Sequence, residues 1–306
     1  MSILSQPHFH GEKAAFAFLE RVLWPNGPEC PHCGEVNRAG RLKGKTTRVG
    51  LWKCYACRRT FTVKVGTVFE HGRVPLNKFL QAAYLMASSR KGISTHQLHR
   101  TLEVTYKTAW FMAHRVREAM REGKLPGGLG GANKVVEADE KFIGGKAKNA
   151  KRGAPVPTKE AVVALVERDG AVRSAHVPDV TAKTLRDILV RQIDRKSYLM
   201  TDESGSYIAV GREFVGHGTV NHSIDEYVRG GFWHTNTVEG YFSILKRGIT
   251  GVYQHVSQQH LKRYLGEFGF RYNYRHLSDQ ERTGEALRGI RGKRLKYGGY
   301  SPQASA

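Results

Sequence analysis

The spacing of hydrophobic residues divides the chain into helical and extended stretches. Near the N-terminus, Ala15, Phe18, Leu19 and Val22 recur at the i, i+3, i+4, i+7 spacing of one helical face. Similar spacing returns between residues 75 and 123, and short apolar runs typical of strands begin after residue 133. We therefore expect an N-terminal helix, a helical region and a final region that mixes strands with helices.

The helical region predicts three helices arranged as a helix-turn-helix. Ser94 and Thr105 are good N-cap residues for the second and third helices. The third helix is predicted to bury one apolar face, formed by Ala109, Met112, Ala113, Val116 and Met120. Its polar side is predicted to contact DNA through Lys107, Thr108, Arg115 and Arg117. The alternative is an ordinary three-helix bundle with a solvated basic face.

Two acidic residues lie on the first predicted strand of the mixed region. Val135 and Val136 favour a strand, and Glu137 and Asp139 lie two residues apart, so their side chains point to the same face. Buried carboxylates are unfavourable unless they bind a cation or another partner. The pair therefore indicates a site that holds something positive.

A second acidic position follows further along. Asp169-Gly170 between two apolar runs predicts a β-hairpin, and an amphipathic helix comes next. The following strand ends at Asp202, at the strand end where open α/β sheets hold ligands. Taken singly, Asp139 could be a surface residue at a strand end, and Asp202 could cap a helix.

The third stretch of interest reads HTNTVEGYFSILKRG. Asn236 and Glu239 lie three apart and share a helical face, and Lys246 follows two turns after Glu239. This spacing has a purely structural alternative, because Asn followed by Glu three residues later resembles a capping box.

The charge balance changes the picture towards a polyanionic partner. The chain has 306 residues, with 49 Lys and Arg against 27 Asp and Glu, a formal net charge of +22. Such a field attracts nucleic acid and releases counterions from its phosphates. No apolar run reaches the roughly 20 residues that span a bilayer, and no signal-peptide pattern is present. We expect a cytoplasmic, nucleoid-associated bacterial protein that binds no membrane.

All four cysteines of the chain lie in one short stretch. Cys30 and Cys33 form one C-x-x-C pair, and Cys54 and Cys57 form a second one after 20 residues. This spacing is typical of a zinc ribbon, and four thiolates leave no open coordination position. The zinc is therefore expected to be structural.

These blocks together resemble a known family. The segments ADEKFIGGK, TDESGSY and HTNTVEGYFSILKRG, preceded by the cysteine pairs and the predicted helix-turn-helix, are similar to bacterial insertion-sequence transposases. The resemblance is to the group that joins a zinc ribbon to an RNase H-like core of the Asp-Asp-Asn/Glu (DDE) type. It extends from about residue 14 to 276 and keeps the order of the family's blocks.

The resemblance implies both a chemistry and a set of site residues. Asp139 and Asp202 would bind catalytic Mg²⁺ or Mn²⁺, with Asn236 or Glu239 as third ligand; we favour Asn236 and keep Glu239 open. Lys246 would contact the transposon end. The enzyme would hydrolyse the end phosphodiester and join the 3′-hydroxyl to target DNA, as a homodimer or larger assembly on double-stranded DNA. A basic loop that would also hold DNA contains Lys146, Lys148, Lys151, Arg152 and Lys159.

Two other functions remain open at this point. One is a non-catalytic DNA-binding regulator derived from a transposase, and the other is an RNase H-like nuclease without strand transfer. The predicted fold is α+β and multidomain. Its parts are an N-terminal helix (1–27), a zinc ribbon (28–74), a helix-turn-helix domain (75–124), a Gly-rich linker (125–132), an RNase H-like catalytic domain with a mixed sheet (133–290) and a basic tail (291–306).

Overall fold

The computed structural model describes residues 2–121, 127–144, 159–220 and 234–295. The chain forms two compact units: one is the segment 123–273, and the other contains the residues before and after it. The sequence-based boundary at residue 290 therefore differs from the observed one. The N-terminal helix, ribbon and helix-turn-helix share one unit, together with the C-terminal residues.

The first unit begins with a helix and a small antiparallel sheet. Helix α1 is Glu12–Leu23, and the sheet consists of β1 (Ala39–Arg41), β2 (Trp52–Cys54) and β3 (Thr60–Phe61) in that order. The predicted N-terminal helix and zinc ribbon are confirmed.

A buried carboxylate joins helix α1 to the ribbon. The Trp52 indole Nε1 donates to Glu20 Oε1 at 2.9 Å, and the Arg41 guanidinium pairs with the other oxygen. Burial raises the pKa of Glu20, although the bonds from Trp52 and Arg41 oppose that shift. The carboxylate thus fastens α1 to both β1 and β2.

Among its described residues, four further α-helices complete the first unit. They are α2 (Leu76–Ser88), α3 (Thr95–Leu102), α4 (Tyr106–Met120) and α9 (Asp279–Arg288). Helix α9 packs against α1, α2 and α4, burying Ala286 and Leu287. This contact explains why the C-terminal helix belongs with the N-terminal region and not with the predicted catalytic domain.

The turn between α3 and α4 has the predicted helix-turn-helix form. The Ser94 side chain accepts the backbone N–H of Gln97 at 3.1 Å, and the Thr105 side chain accepts that of Thr108 at 3.2 Å. Between the helices, Glu103 adopts a left-handed conformation with φ 49°. Both predicted N-caps are therefore confirmed.

The second unit is built on a five-stranded mixed sheet. Its strands are β4 (Val135–Gly144), β5 (Lys159–Glu167), β6 (Val172–Val177), β7 (Tyr198–Asp202) and β8 (Gly216–Val220). The spatial order is β6-β5-β4-β7-β8. Strands β4, β5 and β6 pair antiparallel, whereas β7 runs parallel to β4 and β8 parallel to β7. The predicted mixed sheet is confirmed.

Helices cover both faces of this sheet. Helices α5 (Ala182–Gln192) and α6 (Gly205–Gly211) pack on one face, and α7 (Asn236–Gly248) and α8 (Gln258–Asn273) pack on the other. Strand β5 is buried on both faces, because alternate residues join the two cores. Among the described residues, no helix is both long and apolar enough to cross a membrane.

The described part of the predicted Gly-rich linker is packed against the second unit. Leu129 is buried in the α5 and α6 core, and its backbone bonds Gln192 and Asp194. Gly130 has φ +83°, and a Cβ there would lie 2.0 Å from Ser197 Oγ, so the position needs glycine. Residues 127–132 therefore act as part of the fold.

A side-chain amide attaches helix α8 to the edge strand β6. Asn273 Oδ1 accepts the backbone N–H of Val172 at 2.7 Å, and its Nδ2 donates to the Val172 carbonyl at 3.1 Å. We expect Asn273→Ala to lower the free energy of unfolding by about 1–3 kcal/mol, because two buried backbone groups lose their partner. Urea unfolding measures this loss. Gln259→Ala, at an exposed position of α8, is the control; equal effects of the two changes would contradict the prediction.

Candidate functional site

The four cysteine sulfurs converge on one point of the ribbon. All four lie within 4.8 Å of one another. Cys30 and Cys57 sulfurs are 3.7 Å apart, as are those of Cys33 and Cys54. A tetrahedral zinc ion with Zn–S bonds of about 2.3 Å requires sulfur–sulfur separations of about 3.8 Å. The donor set therefore fits zinc.

His32 lies between two of these cysteines but stays outside the cluster. Its side chain is exposed, and Nε2 lies 3.4 Å from the carbonyl oxygen of Thr60. The four sulfurs are sufficient for a closed tetrahedral site without it.

The sheet of the second unit brings the two predicted aspartates to neighbouring strands. Strands β4 and β7 are parallel, with Glu137 opposite Met200. Continued by two residues, this register places Asp139 opposite Asp202, on the same face of the sheet. Asp139 is 5% exposed, and Asp202 is half-buried with Oδ1 accepting the Ser204 backbone N–H at 3.1 Å.

Helix α7 packs on this face and carries the third predicted position. Thr235 is the N-cap and Asn236 is the first helical residue, so a capping box starting at Asn236 is not what forms. Asn236 is exposed, whereas Glu239 is half-buried and its Oε1 accepts the Thr235 hydroxyl at 3.0 Å. The side chain of Glu239 is thus less exposed to solvent than that of Asn236.

Lys141 of β4, whose side chain is 54% exposed, forms an ion pair at this site. Its Nζ is 3.0 Å from Asp139 Oδ2. Burial lowers the pKa of Lys141, but the carboxylates of Asp139, Glu239 and Asp202 together raise it above its usual value. One ammonium group therefore feels three carboxylates from three separate elements.

Negative charge at this site is only partly balanced. Burial, reinforced by the charge of Asp202, raises the pKa of Asp139 despite the neighbouring Lys141. The pKa of Glu140 is also raised, mainly by burial, with Tyr207 donating to its Oε2 at 2.5 Å. A raised carboxyl pKa means that the surroundings disfavour the ionised form. Such a site gains most from an added cation.

These carboxylates are more widely spaced than the cysteine sulfurs. Within the described ranges, the four cysteines form the one group of at least three His, Cys, Asp or Glu whose ligand atoms all lie within 4.8 Å. Asp139, Asp202 and Glu239 are not all that close. Two-metal sites hold ions about 3.5–4 Å apart, so their ligands need not surround a single point.

The helix-turn-helix surface requires a correction to the sequence analysis. Arg115 is 6% and Arg117 0% exposed, so as placed neither guanidinium can reach DNA phosphates. The Arg115 guanidinium lies over the rings of Phe111 and Phe79, at 4.7 and 5.9 Å from their centroids. Helix α4 is covered by α2, α3 and α9, which buries positions that its periodicity assigned to solvent.

The other predicted DNA contacts fall into two groups. Lys107 is exposed and Thr108 half-buried, both in the first turn of α4, and the Thr108 hydroxyl lies 2.8 Å from that of Thr105. Lys246 is exposed on α7. Lys159 is exposed at the start of β5. The remaining members of the basic loop, Lys146, Lys148, Lys151 and Arg152, lie outside the described residues.

Comparison with known families matches both parts of the chain. Residues 129–273 match the ISXO2-like transposase domain, and residues 11–60 match the transposase zinc-ribbon domain. The first match coincides closely with the second compact unit, and the second contains all four cysteines. The chain carries the two domains of an insertion-sequence transposase. Together the two domains cover nearly two thirds of this transposase.

A relative of the transposase comes from an archaeal mobile element. It is an uncharacterized protein in transposable element ISH50 of Halobacterium salinarum, 29% identical over 286 residues, which are 86% of this chain and 91% of the relative. A solved structure, a simian T-cell lymphotropic virus intasome with PP2A regulatory subunit B56 gamma, matches 56% of this chain and 67% of its own at 16% identity and a TM-score of 0.28. A TM-score that low supports no statement about this transposase.

Sequence reasoning missed several residues around the acidic site of the transposase. Lys141 follows Asp139 at the two-residue strand period, so alternation along ADEKF could have placed both on one face. Glu140 points to the opposite face, towards Tyr207. No local pattern signals Tyr207, because it comes from α6, 67 residues further along.

The sulfur geometry predicts one tightly held zinc ion per chain of this transposase. Cys54→Ser is expected to abolish zinc binding and unfold the ribbon, because Cys54 is fully buried and ends β2. Zinc content by atomic absorption and proteolysis of the N-terminal unit measure both effects. His32→Ala serves as control and should keep one zinc per chain; loss of zinc there would mean that the sulfurs do not suffice.

The raised pKa of Asp139 predicts a pH-dependent gain in stability on its neutralisation. A carboxyl whose pKa is raised by folding contributes stability below its usual pKa of 3.8, and this stability is lost as pH rises through the folded value. Asp139→Asn mimics the protonated form. We therefore expect the variant's advantage in unfolding free energy over wild type to grow as pH rises from 4 to 8.

Urea unfolding at several pH values measures this difference. Asp187→Asn is the control, because it removes one carboxylate charge at a solvent-exposed position of α5. A constant difference between Asp139→Asn and wild type across this pH range would refute the expectation.

Proposed function

We propose that this transposase binds the DNA ends of its element, hydrolyses the end phosphodiester with divalent metal, and joins the freed 3′-hydroxyl to target DNA. The observation that carries the proposal is the register of two parallel strands that sets Asp139 opposite Asp202, with Glu239 of α7 as a third charge that acts on Lys141. Three acids from two parallel strands and a helix would serve no purpose for DNA binding alone, because carboxylates repel phosphate.

The donor set suits a hard divalent cation. Mg²⁺ and Mn²⁺ prefer carboxylate oxygens, and the buried carboxyl of Asp139 is poorly neutralised by the residues around it. Bound there, such a cation would supply Lewis-acid stabilisation to both the attacking and the leaving oxygen of an in-line displacement. The chain's own part is to hold the carboxylates of Asp139, within β4, and of Asp202, at the end of β7, beside α7.

We propose Glu239, and not Asn236, as the third ligand. Glu239 is half-buried on α7, and its charge raises the pKa of Lys141 together with those of the two aspartates, which supports its membership of the same group. Asn236 is exposed and offers only a neutral oxygen. This choice reverses the preference that the sequence alone favoured.

The N-terminal unit would recognise the DNA ends. Lys107 is exposed in the first turn of α4, where recognition helices contact base edges. The ribbon would hold structural zinc and add to the DNA contact. Lys246, two turns after Glu239 and exposed, would contact the transposon end. Because two ends must meet, we propose that a homodimer or larger assembly forms on double-stranded DNA.

The decisive experiment follows cleavage and joining of labelled element ends. We expect both reactions to require Mg²⁺ or Mn²⁺, and Asp139→Asn, Asp202→Asn and Glu239→Gln each to lose at least about a hundredfold in rate, since even residues behind metal ligands cost 10–100-fold. Asn236→Ala should retain most activity. Asp187→Asn, at an exposed position of α5, is the matched control.

Each outcome discriminates among the possible functions. Equal activity of Asp139→Asn and wild type would end the enzyme proposal, and end binding without any cleavage would indicate a DNA-binding regulator. Cleavage without joined products when target DNA is supplied would indicate a nuclease. If Asn236→Ala is inactive while Glu239→Gln is active, Asn236 is the third ligand.

A further inference from the structure

A second acidic side chain of strand β4, Glu137, is completely buried. It lies two residues before Asp139 and faces helix α7. Its side chain is 0% exposed, yet its surroundings supply donors to both carboxylate oxygens. A buried carboxylate is tolerated only when such donors compensate for the lost hydration.

The first turn of α7 provides most of these donors. Glu137 Oε2 accepts the backbone N–H of Thr237 at 2.8 Å and of Val238 at 3.0 Å, and Oε1 accepts the Thr237 hydroxyl at 2.9 Å. The first N–H groups of a helix have no partner within the helix. Thr235, the N-cap residue, makes no side-chain capping bond to them. The strand carboxylate therefore caps the helix, and its negative charge interacts favourably with the positive end of the helix dipole.

Arg168 completes the cluster from the hairpin between β5 and β6. Its Nε donates to Glu137 Oε1 at 2.7 Å, and one terminal nitrogen donates to the carbonyl oxygen of His234 at 2.9 Å. The guanidinium thus neutralises the carboxylate and holds the residue that leads into α7. Three segments meet at Glu137: β4, the β5–β6 hairpin and the start of α7.

Glu137 does not itself have the character of a metal ligand. Oε1 accepts from Arg168 and the Thr237 hydroxyl and lies 3.2 Å from His234 Nδ1, and Oε2 accepts from two backbone N–H groups. With at least two polar partners on each oxygen, its lone pairs are committed to the protein. Asp139, by contrast, has Lys141 as its ion-pair partner at 3.0 Å.

We propose that Glu137 is a positioning residue: it fixes the first turn of α7, with Asn236 and Glu239, against the strand that carries Asp139. The separation of Asp139 and Glu239 then depends on a carboxylate that touches neither the cation nor the DNA. This inference rests on the proposed function for the chemistry that the separation serves, but the clamp is defined by contacts within the chain.

The test begins with Glu137→Gln in the full-length protein. A glutamine amide keeps the shape but presents N–H groups either to the α7 backbone donors or to Arg168, so one set of bonds is lost. Hydrogen exchange of the peptide spanning residues 236–242, without metal or DNA, should become faster, while exchange in α8 stays unchanged. This readout needs no catalytic activity.

The second readout is the dependence of end cleavage on Mn²⁺. We expect the half-saturating concentration to rise about tenfold or more in Glu137→Gln, the range in which residues behind metal ligands act. The Kd for the DNA ends should change much less than the Mn²⁺ dependence, because the ribbon and helix-turn-helix lie in the other unit and Lys246 of α7 supplies only one of the proposed end contacts. A merely structural defect would speed exchange in α8 as well as in α7, and it would weaken DNA binding together with the response to Mn²⁺.

Matched variants keep the inference testable. Glu213→Gln removes an arginine-paired carboxylate of the same unit, bound to Arg186 at 2.5 Å, and should change neither readout. If Glu137→Gln fails to fold, Thr237→Val removes one donor and Thr237→Ser restores its hydroxyl. We expect partial loss in Thr237→Val and recovery in Thr237→Ser.

The possible failures are distinguishable. If wild type shows no metal-dependent cleavage, the proposed function is wrong, and hydrogen exchange alone judges the clamp. If wild type is active and Glu137→Gln keeps its α7 protection, or loses protection without a shift in Mn²⁺ dependence, the positioning role is overturned.

Discussion

Neutralisation of buried carboxylates on strand β4 is the constraint around which the second unit is arranged. Glu137 and Asp139 point to the same face, and water cannot solvate either one fully. Glu137 accepts hydrogen bonds from Arg168 and from the backbone N–H groups of the first turn of α7. Asp139 pairs with Lys141, and its pKa remains raised. The two carboxylates are only two residues apart. Glu137 has protein donors on both of its oxygens, whereas Asp139 has too little positive charge around it to offset its burial.

The topology of the sheet explains why this contrast arises at one place. Because β7 runs parallel beside β4 with Glu137 opposite Met200, Asp139 within β4 and Asp202 at the end of β7 come together without any local signal between them. Helix α7 then packs across that face, where the backbone of its first turn meets Glu137 and the same turn carries Glu239. The packing of α7 on β4 therefore gives the first N–H groups of the helix a hydrogen-bond acceptor and brings a third carboxylate to the site.

Much of this arrangement was predictable from local patterns, and the rest depended on distant contacts. The cysteine spacing, the Asp169-Gly170 hairpin and the caps at Ser94 and Thr105 are short-range features, and the structure contains each of them. The exposure of Arg117 was misjudged because α2, α3 and the sequence-distant α9 all pack against α4. The partners of Glu137 come from a hairpin and a helix 31 and 100 residues away, which periodicity cannot reveal.

The local charge of the site opposes that of the whole molecule. A chain with net charge +22 draws in DNA, yet Asp139, Asp202 and Glu239 present three carboxylates against one ammonium, that of Lys141. A phosphodiester approaching this edge is repelled unless further positive charge is bound there. Two negative charges remain after Lys141 is counted, which a divalent cation balances. Under the proposed function, DNA binding is thus separated from its chemistry: the global field would govern binding, and occupancy of the acidic site by a cation would govern the reaction.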